Sequence, residues 1–193
     1  MSTATIEKHP LPPFFPDNAK WLFLGSFPPK QQRWSMDFFY PNYQNDMWRI
    51  FGLVFFDDKN HFVNIPEKSF YKEKIIRFLT TQRIAMYDTA ATVIRHKDNA
   101  SDKDLEIIEA VDIGKIIQKL PDLQQIVATG QKALETLINH FAKKDIHIPF
   151  PSVGSHTDFV FENRTIRLFR MPSSSRAYPL SLEKKAEVYR KMF

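Results

Sequence analysis

Trp21-Leu22-Phe23-Leu24 runs straight into Gly25-Ser26-Phe27-Pro28-Pro29, and this junction decides the fold. Four apolar residues closed by a turn signal read as a strand buried on both faces, the kind that fills parallel sheets. Three further runs repeat the pattern. Ile84-Ala85-Met86-Tyr87 leads into Asp88-Thr89-Ala90, Gln125-Ile126-Val127-Ala128 into Thr129-Gly130-Gln131-Lys132, and Ile166–Met171 into Pro172-Ser173. Helical periodicity falls between and after them, at about 45–54, 67–81, 102–119, 131–143 and 181–192. The third stretch reads as one helix capped by Ser101 or Asp102, with Ile107, Ile108, Val111, Ile113, Ile116 and Ile117 as its apolar stripe. The last is expected to begin at Ser181. Such alternation predicts an α/β fold with a mainly parallel central sheet. Asp158–Arg170 breaks the rule. Phe159-Val160-Phe161, Glu162-Asn163-Arg164 and Thr165–Phe169 read as a hairpin, which turns the last strand antiparallel to its neighbour in sequence.

The chain has 193 residues, enough for one domain with a substantial core. Residues 1–20 read as a Pro-stiffened arm lying on that single body, 1–193. Hydrophobic content of 43% and charged content of 25% exclude a disordered chain as the default. With 5 Gly against 13 Pro, the loops are stiff rather than Gly-rich phosphate cradles. There is no cysteine, so disulfides and cysteine-held zinc or iron–sulfur clusters are excluded. His96, His140, His147 and His156 show no metal-ligand spacing, and neither a metal nor another cofactor is expected. No run approaches the roughly 20 apolar residues of a membrane span, and the first residues lack the apolar core of a signal peptide. The expectation is a soluble cytoplasmic protein with no membrane partner. A net charge of +5 suits a polyanionic partner without requiring one.

Four segments in order resemble the uracil-DNA glycosylase superfamily, most closely its hypoxanthine-DNA (deoxyinosine) glycosylase branch. Leu22-Phe23-Leu24-Gly25-Ser26-Phe27-Pro28 resembles the branch's first motif, an apolar strand followed by Gly-Ser-Met-Pro. Phe39-Tyr40-Pro41-Asn42-Tyr43-Gln44-Asn45-Asp46-Met47-Trp48 resembles its Tyr-Tyr segment running into Asn-x-Phe-Trp. Ile84–Asp88, with Arg95 and Ser101-Asp102, resembles its Gly-Ile-x-Leu-x-Asp stretch. Met171-Pro172-Ser173-Ser174-Ser175-Arg176-Ala177, followed by Ser181 and Lys185, resembles its closing Leu-Pro-Ser-Thr-Ser-x-Ala motif and helix. The resemblance implies a three-layer α/β/α sandwich around a short, mainly parallel sheet. It also implies a monomeric, monofunctional enzyme of base-excision repair that binds DNA and removes hypoxanthine first, uracil second. The departures bear on substrate choice. Phe27 stands where uracil-specific members carry Asp or Asn, and Met171 where they often carry His. Tyr43 replaces a Pro of the branch, and Tyr178 its final Asn.

Such an enzyme must extrude a nucleotide, hold its base and stabilise charge as the glycosidic bond separates. The catalytic roles then fall to Asn45, Ser26 and Asp88. The Asn45 amide can donate to a carbonyl of the leaving base, or it can cap the helix that follows; both fit. Ser26 can orient water or bind phosphate. Asp88 can polarise a water or merely brace its loop. Phe27, Phe39 and Tyr40 are candidates to hold the base, against the plainer reading that Phe38-Phe39-Tyr40 anchors a loop in the core. Gly25, Pro28, Pro172, Ser173, Ser174, Ser175 and Arg176 are candidates for the DNA backbone, against a simple Pro-Ser turn before a helix. Trp48 reads as core. Two other classes compete. A serine hydrolase needs Gly-x-Ser-x-Gly on a strand–helix elbow, and the sequence has none. A non-catalytic DNA-binding relative fits the sequence as well as an enzyme does.

Overall fold

The computed structural model of the protein describes residues 5–96 and 104–193. Its elements run β1 (Thr5–Lys8), β2 (Trp21–Gly25), α1 (Met47–Phe56), β3 (Val63–Asn64), β4 (Ser69–Phe70), α2 (Lys72–Gln82), β5 (Ile84–Asp88), β6 (Ala90–Arg95), β7 (Leu105–Ala110), α3 (Ile113–Lys119), β8 (Gln125–Thr129), α4 (Gln131–Ala142), β9 (Ser155–Phe161), β10 (Arg164–Met171) and α5 (Leu182–Arg190). The central sheet has the order β5-β2-β8-β10-β9. Its first four strands are parallel, and β9 closes one edge antiparallel to β10 in the expected hairpin.

Alternation along these strands divides the core in two. Phe23, Met86, Val127 and Phe169 join one cluster with residues of α1, α2 and α5. Leu22, Leu24, Ala85, Ile126, Ala128 and Leu168 join another with Ile113, Ile116 and Ile117 of α3 and Leu134 and Leu137 of α4. No helix among the described residues is long and apolar enough to cross a membrane.

The stretch expected as one helix over 102–119 is two elements. Residues 105–110 form β7, which pairs with β6 in a three-stranded sheet of order β1-β6-β7. Only Ile113–Lys119 is helical, and its cap is Asp112, whose side chain accepts the Lys115 N–H. Ser101 and Asp102, the expected caps, lie outside the described residues. Leu105 to Ala110 is rich in good helix formers, yet strand pairing overrides propensity here. Leu105 and Ile107 pack against Phe27, Ala90 and Val93, whereas Ile108 is exposed. The helix expected over 67–81 starts only at Lys72, because β3 and β4 form a short hairpin before it.

The arm is woven into the body. Thr5–Lys8 pairs with β6, and Phe14 bridges Met86 on the edge strand β5. Arg95 locks it further, binding both carboxylate oxygens of Glu7 at 2.9 and 3.1 Å and the Pro28 carbonyl at 3.0 Å. Asp112→Ala removes the α3 cap and should destabilise the fold by about 1 kcal/mol. The Lys144 hydrogen bond, with the Lys115 amide, holds the Asp112 carboxyl below its ordinary 3.8. The folded value is the lower one, so this contribution is present above pH 3.8 and lost as pH falls through the folded value. Denaturant unfolding of both proteins across acidic pH should show their difference shrinking there.

Candidate active site

Chain order reverses at β2, which lies between β5 on one side and β8 on the other. In open α/β sheets the crevice beyond the carboxyl ends at such a point is where ligands bind. Here it holds a cleft of about 840 Å³. The loops after β2, β8 and β10 and the last residue of β5, Asp88, all reach it, joined by residues from the 39–45 segment ahead of α1. Of the thirteen residues singled out from sequence, Gly25, Ser26, Phe27, Pro28, Phe39, Tyr40, Asn45, Asp88, Ser173, Ser174, Ser175 and Arg176 line this one cleft. Pro172 does not. It is buried behind the loop, where its carbonyl accepts the Tyr189 hydroxyl at 2.9 Å.

Close approach explains Gly25, and backbone conformation explains Gly130. A Cβ on Gly25 would collide with the Asp88 carboxylate, so glycine lets that carboxylate lie over the end of β2. Gly130 has φ +116° and faces Ser173, bringing the start of α4 against the serine loop. The first turn of α4 therefore opens into the cleft, and Lys132 and Arg33 add positive charge around it.

Asn45 caps the helix, one of the two roles its sequence allows. Its Oδ1 accepts the Met47 N–H at 2.9 Å and so caps α1 in place of Asp46, whose side chain makes no cap. With the oxygen used as acceptor, the NH2 group is the donor left over, on a residue that lines the cleft. Arg49 steadies the segment. It donates to the carbonyls of Tyr43 (2.8 Å) and Asn45 (3.0 Å) and lies over the Tyr43 ring. Burial, with the neighbouring Arg176 cation, lowers its pKa below the ordinary arginine value.

The aromatic candidates separate. Phe39 is only 2% exposed and belongs to the core; Phe27 is also buried, with its ring edge-on to His9 at 5.3 Å. Tyr40 is half-buried, takes the left-handed φ of +51°, and shares a 2.7 Å hydrogen bond with Thr129 Oγ1. It is the most open of the three. Trp48 is fully buried and donates to the Phe39 carbonyl. In the closing loop, Ser173 and Ser175 use their hydroxyls on the amides of Ser175 and Ala177. These hydrogen bonds form the turn expected of Pro-Ser chemistry, and Ser174 is buried.

What fixes this loop to Asn45 is Asp46. Its carboxylate, 7% exposed, binds Lys185 Nζ at 3.0 Å and Arg176 Nε at 3.1 Å. Lys185, 1% exposed, also donates to the Ser175 carbonyl at 2.8 Å, and the Asp46 N–H donates to Ser174 O at 2.9 Å.

No protein-family model matches the sequence, and no curated protein matches it. The fold has a match. The solution NMR structure of "a putative Uracil DNA glycosylase from Methanosarcina acetivorans" aligns with 97% of this chain and 99% of that one, with a TM-score of 0.61 and 20% sequence identity. At that identity the likeness is one of fold.

Sequence reasoning missed several residues at the site. Thr129, Gly130 and Lys132 were legible in principle, since a strand ending in Gly before a helix repeats the pattern at Gly25. His9, which binds Asp88 from behind, carried no local signal at all. Lys185→Met should lower stability by about 3 kcal/mol, because it strips the buried partner from a buried carboxylate. Urea unfolding should show the midpoint falling with the slope unchanged.

Proposed function

We propose that the protein is a monofunctional DNA glycosylase that hydrolyses the N-glycosidic bond of a deaminated base, hypoxanthine first and uracil second. Asn45 carries the reading. Its side-chain oxygen is engaged by the Met47 N–H and the residue lines the cleft, which leaves its NH2 as the donor that a leaving base with a developing negative carbonyl requires. The order of the four motif segments supports it, as does the description of the Methanosarcina neighbour as "a putative Uracil DNA glycosylase". The two core clusters are read as the two sides of a three-layer α/β/α sandwich.

In this mechanism a nucleotide leaves the duplex and its base enters the cleft, whose volume lies in the usual range for ligand pockets, about 300–1,000 Å³. Tyr40 packs on the base and the Asn45 amide donates to its carbonyl. The C1′–N bond breaks with its electron pair going to the base, and water forms the new C1′–O bond. The water proton passes to the Asp88 carboxylate and on to solvent, while the base takes up a proton. Phe27 offers no group for this task, so Asp88 replaces the water-activating residue that uracil-specific members carry at that position. Ser26 and the amides near Gly25 orient the water, and Pro28 with Ser173, Ser174 and Ser175 shapes the wall along the DNA backbone. Arg176 exchanges Asp46 for a phosphate. The partner is DNA and the protein acts as a monomer in the cytoplasm.

Labelled oligonucleotides carrying inosine, uracil, xanthine or a thymine mispair, treated with alkali after incubation, test this directly. Release from inosine should be fastest, and no release from any of the four would leave a DNA-binding relative without catalysis. Asn45→Ala should slow single-turnover release on the order of a hundredfold with DNA affinity nearly unchanged. A rate within about twofold of wild type, far short of that loss, would return Asn45 to capping alone. Arg176→Ala should lower the slope of log affinity against log salt by about one.

A further inference from the structure

We propose that His9, carried into the site by the N-terminal arm, is a positioning residue that holds the Asp88 carboxylate in the orientation that receives the water proton. The inference rests on the glycosylase reading and deepens it. His9 Nε2 lies 2.8 Å from Asp88 Oδ2, and the two side chains are 3% and 9% exposed. A carboxylate only accepts, so Nε2 carries the hydrogen. The other ring nitrogen faces the backbone of Leu11, with the carbonyl at 2.9 Å and the N–H at 3.3 Å. A charged ring donates there to the carbonyl and a neutral ring accepts from the N–H. In both states Nε2 remains the donor to Asp88.

The ring is held on its faces as well. Phe27 meets it edge-on at 5.3 Å and Tyr87 lies 4.8 Å away. The His9 N–H donates to the Ala91 carbonyl at 2.8 Å, extending the pairing of the arm with β6.

The strand position of Asp88 does not need this contact. Pairing of β2 with β5 sets Gly25 against Asp88, and the Thr89 N–H donates to the Gly25 carbonyl at 2.9 Å. What His9 adds is the torsion of the side chain. With Oδ2 engaged, Oδ1 occupies the space that a Cβ on Gly25 would take, at the cleft wall. That oxygen takes the proton as water attacks C1′ and the base departs with the bonding pair. His9 itself neither gains nor loses a proton in the step.

The test is single-turnover release from the inosine oligonucleotide by full-length His9→Ala, His9→Gln, Asp88→Asn and the double variant His9→Ala/Asp88→Asn, with DNA affinity measured in parallel. A mispositioned catalytic group typically costs on the order of a hundredfold, so His9→Ala should fall about 10- to 100-fold in rate with affinity held within about twofold. His9→Gln, whose amide N–H replaces Nε2–H, should recover most of the loss. Adding His9→Ala to Asp88→Asn should cost nothing further, because the two act as one unit. If His9→Ala fails to fold, His9→Phe keeps the ring packing without the donor and takes its place. A donor-less variant within twofold of wild type overturns the proposal, as do a Gln variant no faster than Ala and additive losses in the double variant. Wild-type protein that releases no base overturns the glycosylase reading and this inference with it, an outcome distinct from an active enzyme indifferent to His9.

Discussion

Burying a carboxylate with only 7% of its side chain exposed is costly unless it is paired, and Asp46 sits at the point where two separate parts of the site meet. Its two cations are not equivalent. Lys185 is buried and also binds the Ser175 carbonyl, so removing it leaves a charge stranded in a medium that solvates it poorly. Arg176 is half exposed, and an ion pair in that position is worth little against water, at most about 1 kcal/mol. The buried cation therefore carries most of this contact and the exposed one adds little. The buried pair holds the serine loop beside Asn45.

The same division of roles runs through the cleft. Asn45 caps α1 with its oxygen and presents its amide; Arg49 directs its donors to the carbonyls of the segment that carries Asn45. Gly25 leaves room for the Asp88 carboxylate, and Gly130 supplies the positive φ at the head of α4. Several polar atoms of the cleft wall are thus committed to shaping it.

Much of this is readable in the amino-acid order, and the reasons for the rest are physical. The strands at Trp21, Ile84, Gln125 and Ile166 announce themselves because they are buried on both faces and end in turn chemistry. Residues 105–110 do not, since Leu-Glu-Ile-Ile-Glu-Ala favours a helix locally and becomes a strand only through β6. β6 itself follows β5 after the single residue Thr89, with no Gly or Pro to mark the break. Four loops of the cleft carry motifs, and so the amino-acid order alone is enough to group their residues. Phe39 cannot be told from a base platform in the same way, because an aromatic before a Pro-Asn turn reads alike whether its face is open or, as here, buried. His9 and Asp88 are 79 positions apart, and no periodicity links them.

Sequence distance has a kinetic side. The central strand β2 begins at Trp21, yet its two neighbours begin at Ile84 and Gln125. The contact between Asp46 and Lys185 spans 139 positions. Closing such loops precedes any stabilisation from the contacts they make, which slows folding and sharpens its cooperativity. The loops that flank Asn45 are therefore tied together by a contact of long sequence range, made only once α5 has docked and brought Lys185 to Asp46.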